Sequence, residues 1–187
     1  MVKHSVRAVI AMLKPEDRFG LVTFAKSSEA VLQLTKMDKA GRARATTLTE
    51  GLKTKGTTNL WAGLEDGLKM AAGSASERNA TSAVMLLTDG CPNDVVGLDA
   101  VVAEFKSTNT LVSTFGFGYS LNTPLLAEIA NAFNGTHTFI PDASFVGTAF
   151  VNNTSALLST AGLKSPLATK NLLEDTDGLR RPPPFFF

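Results

Sequence analysis

Ala83 to Thr88 (AVMLLT) is a nearly continuous apolar run of strand length, closed by Asp89-Gly90. A strand that faces water on one side alternates polar and apolar residues; a run without alternation is what a strand buried on both faces requires. This run predicts a central parallel strand, and parallel strands need helical crossovers that cover both faces of the sheet. The rest of the chain supplies them. Val2, Val6, Val9, Ile10 and Leu13 recur at helical spacing until Pro15 stops the pattern. Phe19–Ala25 and Ala30–Thr35, split by Lys26-Ser27-Ser28-Glu29, read as a hairpin. Helices are expected from about Ala40 to Leu52 and over Leu60, Trp61, Leu64 and Leu68 to Gly73. After the central strand come a helix through Val95, Leu98, Val102 and Phe105, a strand over Leu111–Phe117, and a helix through Leu125, Leu126, Ile129 and Phe133. A last strand over Thr136–Ile140 and a helix over Phe145–Ala161 close the pattern. The predicted architecture is a three-layer α/β sandwich, Rossmann-like, with a mostly parallel sheet and right-handed crossovers.

Composition narrows the function classes. Eighteen Lys and Arg against seventeen Asp and Glu leave a net charge of +1, with no basic block to track a phosphate backbone, so no nucleic-acid partner is expected. The single Cys91 excludes an intramolecular disulfide, and with only His4 and His137 beside it there is no four-ligand soft zinc site. The first residues lack an export signal and no apolar run approaches a membrane span, so the expectation is a cytoplasmic protein without membrane attachment. Asn79, Asn134, Asn152 and Asn153 fit the glycosylation sequon by chance on this reading. After Gly162 the composition shifts to Ser-Pro, an acidic run and a final Arg-Arg-Pro-Pro-Pro-Phe-Phe-Phe. Residues 1–162 are therefore read as one domain and 163–187 as a disordered tail.

Ligands of an open α/β sheet bind beyond the carboxyl ends of its strands. Asp89 directly follows the most apolar strand, and Thr57, Thr58 and Asn59 stand at the amino end of the Trp61 helix, so both groups can face that rim. A hydroxyl and a carboxylate are hard oxygen donors suited to Mg²⁺ or another divalent cation, but two protein oxygens hold such an ion weakly. Thr58 and Asn59 serve equally well as helix caps, and Asp89-Gly90 as a turn. His137 reads as a half-buried strand residue, His4 as solvent-facing, and Trp61 and Phe24 as core. Phe115-Gly116-Phe117-Gly118 lacks the third glycine of a dinucleotide fingerprint, and no Gly-Lys-Ser or Gly-Lys-Thr occurs, which argues against a nucleotide enzyme.

Three segments, Asp17-Arg-Phe-Gly-Leu-Val-Thr-Phe24, Gly56-Thr-Thr-Asn-Leu-Trp-Ala-Gly-Leu64 and Val84-Met-Leu-Leu-Thr-Asp-Gly90, follow one another in the order and spacing of von Willebrand factor type A domains. Thr114-Phe-Gly-Phe-Gly118 and Phe139-Ile-Pro-Asp142 resemble the intracellular eukaryotic branch found beside RING or U-box ubiquitin-ligase modules. The resemblance covers about residues 1–161. It implies a metal-ion-dependent adhesion site in which a divalent ion accepts a carboxylate from a partner protein, with Thr58 as the threonine ligand and Asp89 acting through water. It also implies that the family's first central strand, which ends in Asp-x-Ser-x-Ser, is missing at the N-terminus, so that most of the ligand set is absent and the sequence is a fragment, an incomplete gene model or a degenerate copy. Either the Phe19 and Ala83 strands then pair directly in a five-stranded sheet, or a gap remains between them that something else must fill.

The favoured reading is a non-enzymatic protein-interaction module with a partial metal site. A metal-independent adaptor linked to ubiquitin-ligase machinery is the first alternative. The second is an α/β hydrolase-like enzyme in which Asp89 acts with Cys91 or His137; it requires His137 within hydrogen-bond reach of Asp89 or Cys91.

Overall fold

A computed structural model describes residues 2–53, 56, 58–73, 82–92, 97–142, 145–163 and 185–186. Helix α1 (Val2–Met12) leads into the hairpin β1 (Arg18–Phe24) and β2 (Ser28–Lys36), then α2 (Lys39–Gly51), α3 (Leu60–Ala72) and the apolar strand β3 (Ala83–Thr88). There follow α4 (Leu98–Phe105), β4 (Leu111–Phe117), α5 (Thr123–Ala132), β5 (His137–Ile140), α6 (Val146–Leu163) and a two-residue strand β6 (Phe185–Phe186). The expected elements are all present, mostly within two residues of their expected ends. Val95, expected in the fourth helix, lies outside the described residues.

Local chemistry explains where the helices start. Asp38, Asn59 and Asn122 are the N-caps of α2, α3 and α5, and their side-chain oxygens accept from the backbone N–H groups of Gly41 (2.8 Å), Ala62 (3.0 Å) and Leu125 (3.2 Å). The carbonyls at the end of α1 are satisfied from outside: the Arg42 guanidinium on α2 donates to Ile10 O (2.6 Å) and to Leu13 O.

The sheet has six strands in the order β2-β1-β6-β3-β4-β5. Only β2 runs antiparallel; β1, β6, β3, β4 and β5 are parallel to their neighbours. Residues of α1, α2 and α6 pack with Phe19, Leu21, Met85 and Phe115 on one face, and those of α3, α4 and α5 pack with Val84, Leu86 and Val112 on the other. β3 is buried save for a half-exposed Leu87, and every residue of β4 is buried. This is the three-layer sandwich that the apolar run of β3 demands.

The centre of the sheet differs from the simpler expectation. β1 and β3 do not pair directly, so the five-strand alternative does not form. Phe185 pairs with Phe19 on one side and Ala83 on the other, and Phe186 with Gly20 and Val84. These two residues were expected in the tail; they are instead a short strand, because the edges of β1 and β3 carry backbone groups that an extended segment can satisfy. Leu163, also expected in the tail, is the last residue of α6, and the remainder of the expected tail, residues 164–184 and 187, lies outside the described residues. Among the described residues, no helix is long and apolar enough to cross a membrane.

Candidate functional site at the carboxyl rim

β1 and β3 deliver two connections to the same rim. Asn59 N–H donates to Ala25 O at 2.7 Å, which pins the start of α3 to the end of β1 and fixes Thr58 there. After β3, the Thr88 hydroxyl donates to Gly90 O (3.1 Å) and accepts from Gly90 N–H (3.3 Å), which holds the Asp89-Gly90 turn in place. The two connections touch: a Cβ built on Gly90 would lie 3.2 Å from Thr58 Oγ1, so glycine lets the hydroxyl approach the turn closely. Thr58 is half-buried and Asp89 exposed. Both line a cavity of about 540 Å³ that opens between β1 and β3.

As a metal centre, the donor set is sparse. Among the described residues no group of three or more His, Cys, Asp or Glu side chains could hold a metal ion. One hydroxyl and one carboxylate fall well short of the six oxygens an octahedral cation takes. They do not fit a self-sufficient resident ion.

The hydrolase-like arrangement does not form. His137 pairs with Thr114, and Thr114 with Leu86, three residues before Asp89. His137 is thus about 10 Å back along the strands from Asp89 and about 10 Å across the sheet, from a rise of ~3.3 Å per residue and a strand spacing of ~4.8 Å. Cys91 is exposed and its Sγ faces Ser120 O at 3.7 Å. His137 has a structural role instead. The Thr114 hydroxyl donates its single proton to Leu126 O (2.9 Å), so at its 2.9 Å contact with His137 Nδ1 it accepts, and the proton sits on Nδ1. Nε2 is left buried with no partner.

Burial holds the His137 pKa below its ordinary 6.5, outweighing the upward pull of a hydrogen bond with the Thr114 backbone. For a histidine lowered on folding, the unfolded chain takes up the proton first. Stability is therefore fully present above pH 6.5 and falls as pH drops below that value towards the folded pKa. His137→Gln is expected to reduce the fall in melting temperature between pH 7.5 and 5.0; an equal fall in both proteins contradicts the assignment.

A polar cluster under the sheet escaped the sequence reading. The side-chain amide of Asn153 donates to Thr136 Oγ1 (2.6 Å) and Ser113 Oγ (3.4 Å), and Asn153 and Thr154 are buried on α6. The Asn153 sequon is thus occupied by packing. A hydroxyl residue inside β4 (Ser113) and another just before β5 (Thr136), with an asparagine on a later helix, are the available signal. His4 is exposed, Trp61 is buried and Phe24 is partly buried against the second core, as expected.

A mostly parallel α/β sheet with helices on both faces, and with Thr58 and Asp89 at its carboxyl rim, is a Rossmann-like fold. The chain belongs to the von Willebrand factor type A domain family, which residues 1–150 match. Domains of this family are protein-interaction and adhesion modules. Among curated proteins, the chain is similar to "Probable E3 ubiquitin-protein ligase WAVH2" of Arabidopsis thaliana, at 31% identity over 95 residues, 48% of this chain and 13% of that protein. Among solved structures, von Willebrand factor type A from Catenulispora acidiphila superposes with a TM-score of 0.71 at 22% identity, over 82% of this chain and 37% of that one. Proximal thread matrix protein 1 from the mussel byssus, with a zinc-occupied metal-ion-dependent adhesion motif, gives 0.66 at 18% identity, over 81% and 40%. The chain thus spans well under half the length of each of these three relatives, and the structural likenesses establish the fold.

Proposed function

We propose that this chain is a non-catalytic protein-recognition module that engages an acidic side chain of a partner at the rim formed by Thr58 and Asp89. The contact of the Thr58 hydroxyl with the Asp89-Gly90 turn supports this reading, because it brings a donor and a hard anionic oxygen to one accessible edge. A divalent cation such as Mg²⁺ binds there weakly, most of its ligands being water and the partner's carboxylate. The likeness to the plant ubiquitin-ligase protein supports a cytoplasmic adaptor role beside ubiquitin-ligase machinery, with partner capture as this segment's contribution.

Calorimetric titration of the full chain with magnesium chloride alone tests the rim. Binding in the millimolar range, abolished by Asp89→Ala without change in far-UV circular dichroism, is expected. Sub-micromolar binding, or binding that Asp89→Ala leaves intact, overturns the proposal.

A further inference from the structure

The far half of the carboxyl rim, at the ends of β4 and β5, presents an aromatic pair to solvent. Tyr119 is 84% exposed and Phe139 42% exposed, and their rings lie tilted at 60° with centroids 5.6 Å apart. The loop that carries Tyr119 is pinned on both sides of it. Gly118 leaves β4 in the left-handed region at φ 77°, and its N–H donates to Ile140 O at 3.1 Å. Ser120 O faces Cys91 Sγ at 3.7 Å, and Asn122 then caps α5. Rings held in this way can receive a ligand without first having to be ordered.

The charges around the pair have one sign. Among the described residues that follow β3, β4 and β5 at this rim, 89–92, 118–122 and 141–142, the charged side chains are Asp89 and Asp142, both exposed, and no Lys or Arg occurs. Phe139 pairs with Gly116 and Gly116 with Thr88. Asp89 is therefore about 10 Å from Phe139, from two strand spacings of ~4.8 Å and one rise of ~3.3 Å. Asp142 follows Phe139 by three residues, a span of at most about 10 Å. Both carboxylates thus act over no more than about one Debye length. The sequence extends the same bias: between Asn79 and Leu163 it holds six Asp and Glu against a single lysine, Lys106, which precedes β4 and so lies at the opposite rim.

We propose that this half of the rim is a docking surface for an arginine of a partner polypeptide, its guanidinium seated on the Tyr119 and Phe139 rings and drawn in by Asp89 and Asp142. A cation over an aromatic face is attracted by the ring quadrupole. Arginine suits the pair better than lysine, because its guanidinium is planar, stacks on rings and is more weakly hydrated. An acidic segment is disfavoured, since it meets two like charges. The surface offers a single anchor, so an isolated arginine binds weakly and in a salt-sensitive way, and affinity for a whole partner comes from the contacts around that anchor. The inference does not rest on capture of a carboxylate at the Thr58 edge. A divalent cation held there would offset the Asp89 charge, so chelation favours the arginine.

The probe is acetyl-Gly-Arg-Gly-amide, titrated in EDTA and low salt into the isotope-labelled full chain and followed by amide chemical shifts. Saturable shifts centred on Gly118–Leu121 and Phe139–Asp142 are expected, with a dissociation constant in the millimolar range. The citrulline peptide has the same shape without the charge and should bind at least about fivefold more weakly. Raising the salt to about 0.5 M should weaken the arginine peptide several-fold. Tyr119→Leu removes the ring at an exposed position and should weaken binding about threefold or more, with the rest of the spectrum unchanged. Asp142→Asn should weaken it as well. The proposal is overturned by absence of saturable shifts, by equal binding of the citrulline peptide or of acetyl-Gly-Glu-Gly-amide, by unchanged affinity in Tyr119→Leu, or by shifts centred elsewhere. Magnesium binding at Asp89 without arginine binding ends this inference and leaves the proposed function standing; the opposite pair of results does the reverse.

Discussion

Phe150→Ala is expected to destabilise the domain by about 3–5 kcal/mol, the range for deleting a buried aromatic ring. Phe150 projects from α6 into the sheet, is wholly buried, and stacks on Phe115 of β4 with ring centroids 4.1 Å apart and on Phe117 at 6.5 Å. Truncation removes the ring's own burial and strips both β4 rings of a stacking partner. The site cannot collapse easily, because its floor is a strand paired on both sides and its roof is the helix itself. Set against a total of about 5–15 kcal/mol for ordinary domains, the loss is a large part of the whole. Urea unfolding followed by circular dichroism should show a lower midpoint with an unchanged slope. Phe145, at the start of the same segment, is 55% exposed. Its alanine variant should remain within about 0.5 kcal/mol of the parent, and a comparable loss at both positions would contradict the packing.

The difference between those two phenylalanines was not visible in the sequence, where both sit in one amphipathic stretch. What was visible came from period and run length. The nearly unbroken AVMLLT of β3 declares burial on both faces, the Val2–Leu13 spacing declares α1, and the polar break Lys26–Glu29 between Phe19–Ala25 and Ala30–Thr35 declares the hairpin. These are local signals, and the local chemistry of caps such as Asp38 and Asn59 agrees with them. The rim was legible in outline, since the carboxyl-end rule directs attention to Asp89 and to the amino end of α3. The contact between Thr58 and Gly90 depends on the Asn59 bond to Ala25, a long-range event with no sequence period. The pairing of Phe185–Phe186 was hidden for the same reason: three phenylalanines after three prolines show no periodicity, and their placement follows only from a gap between two strands far away in the chain.

Gly135→Ala is expected to be among the most damaging single substitutions in the chain, although nothing in the sequence sets this glycine apart. Helix α5 ends at Ala132, Asn134 turns the backbone into the left-handed region at φ 56°, and Gly135 N–H returns to Ala130 O at 2.9 Å. The chain then passes directly over β4 to begin β5. A Cβ on Gly135 would lie 1.9 Å from Val112 O and 2.4 Å from Val112 C. The obstacle is backbone in a fully buried strand, so no rotamer change relieves it. Relief requires the α5–β5 turn to lift, which pulls Thr136 O away from Thr114 N–H, a 2.9 Å bond, and loosens the pairing of His137 with Thr114. Overpacking a core ordinarily costs about 1–3 kcal/mol; with main chain on both sides of the contact, the effect belongs at or above the upper end. Thermal and urea unfolding should both register it, and hydrogen exchange should show β5 amides opening before those of β3. A stable Gly135→Ala protein with β5 amides as protected as in the parent would mean that β5 does not lie against β4 as described.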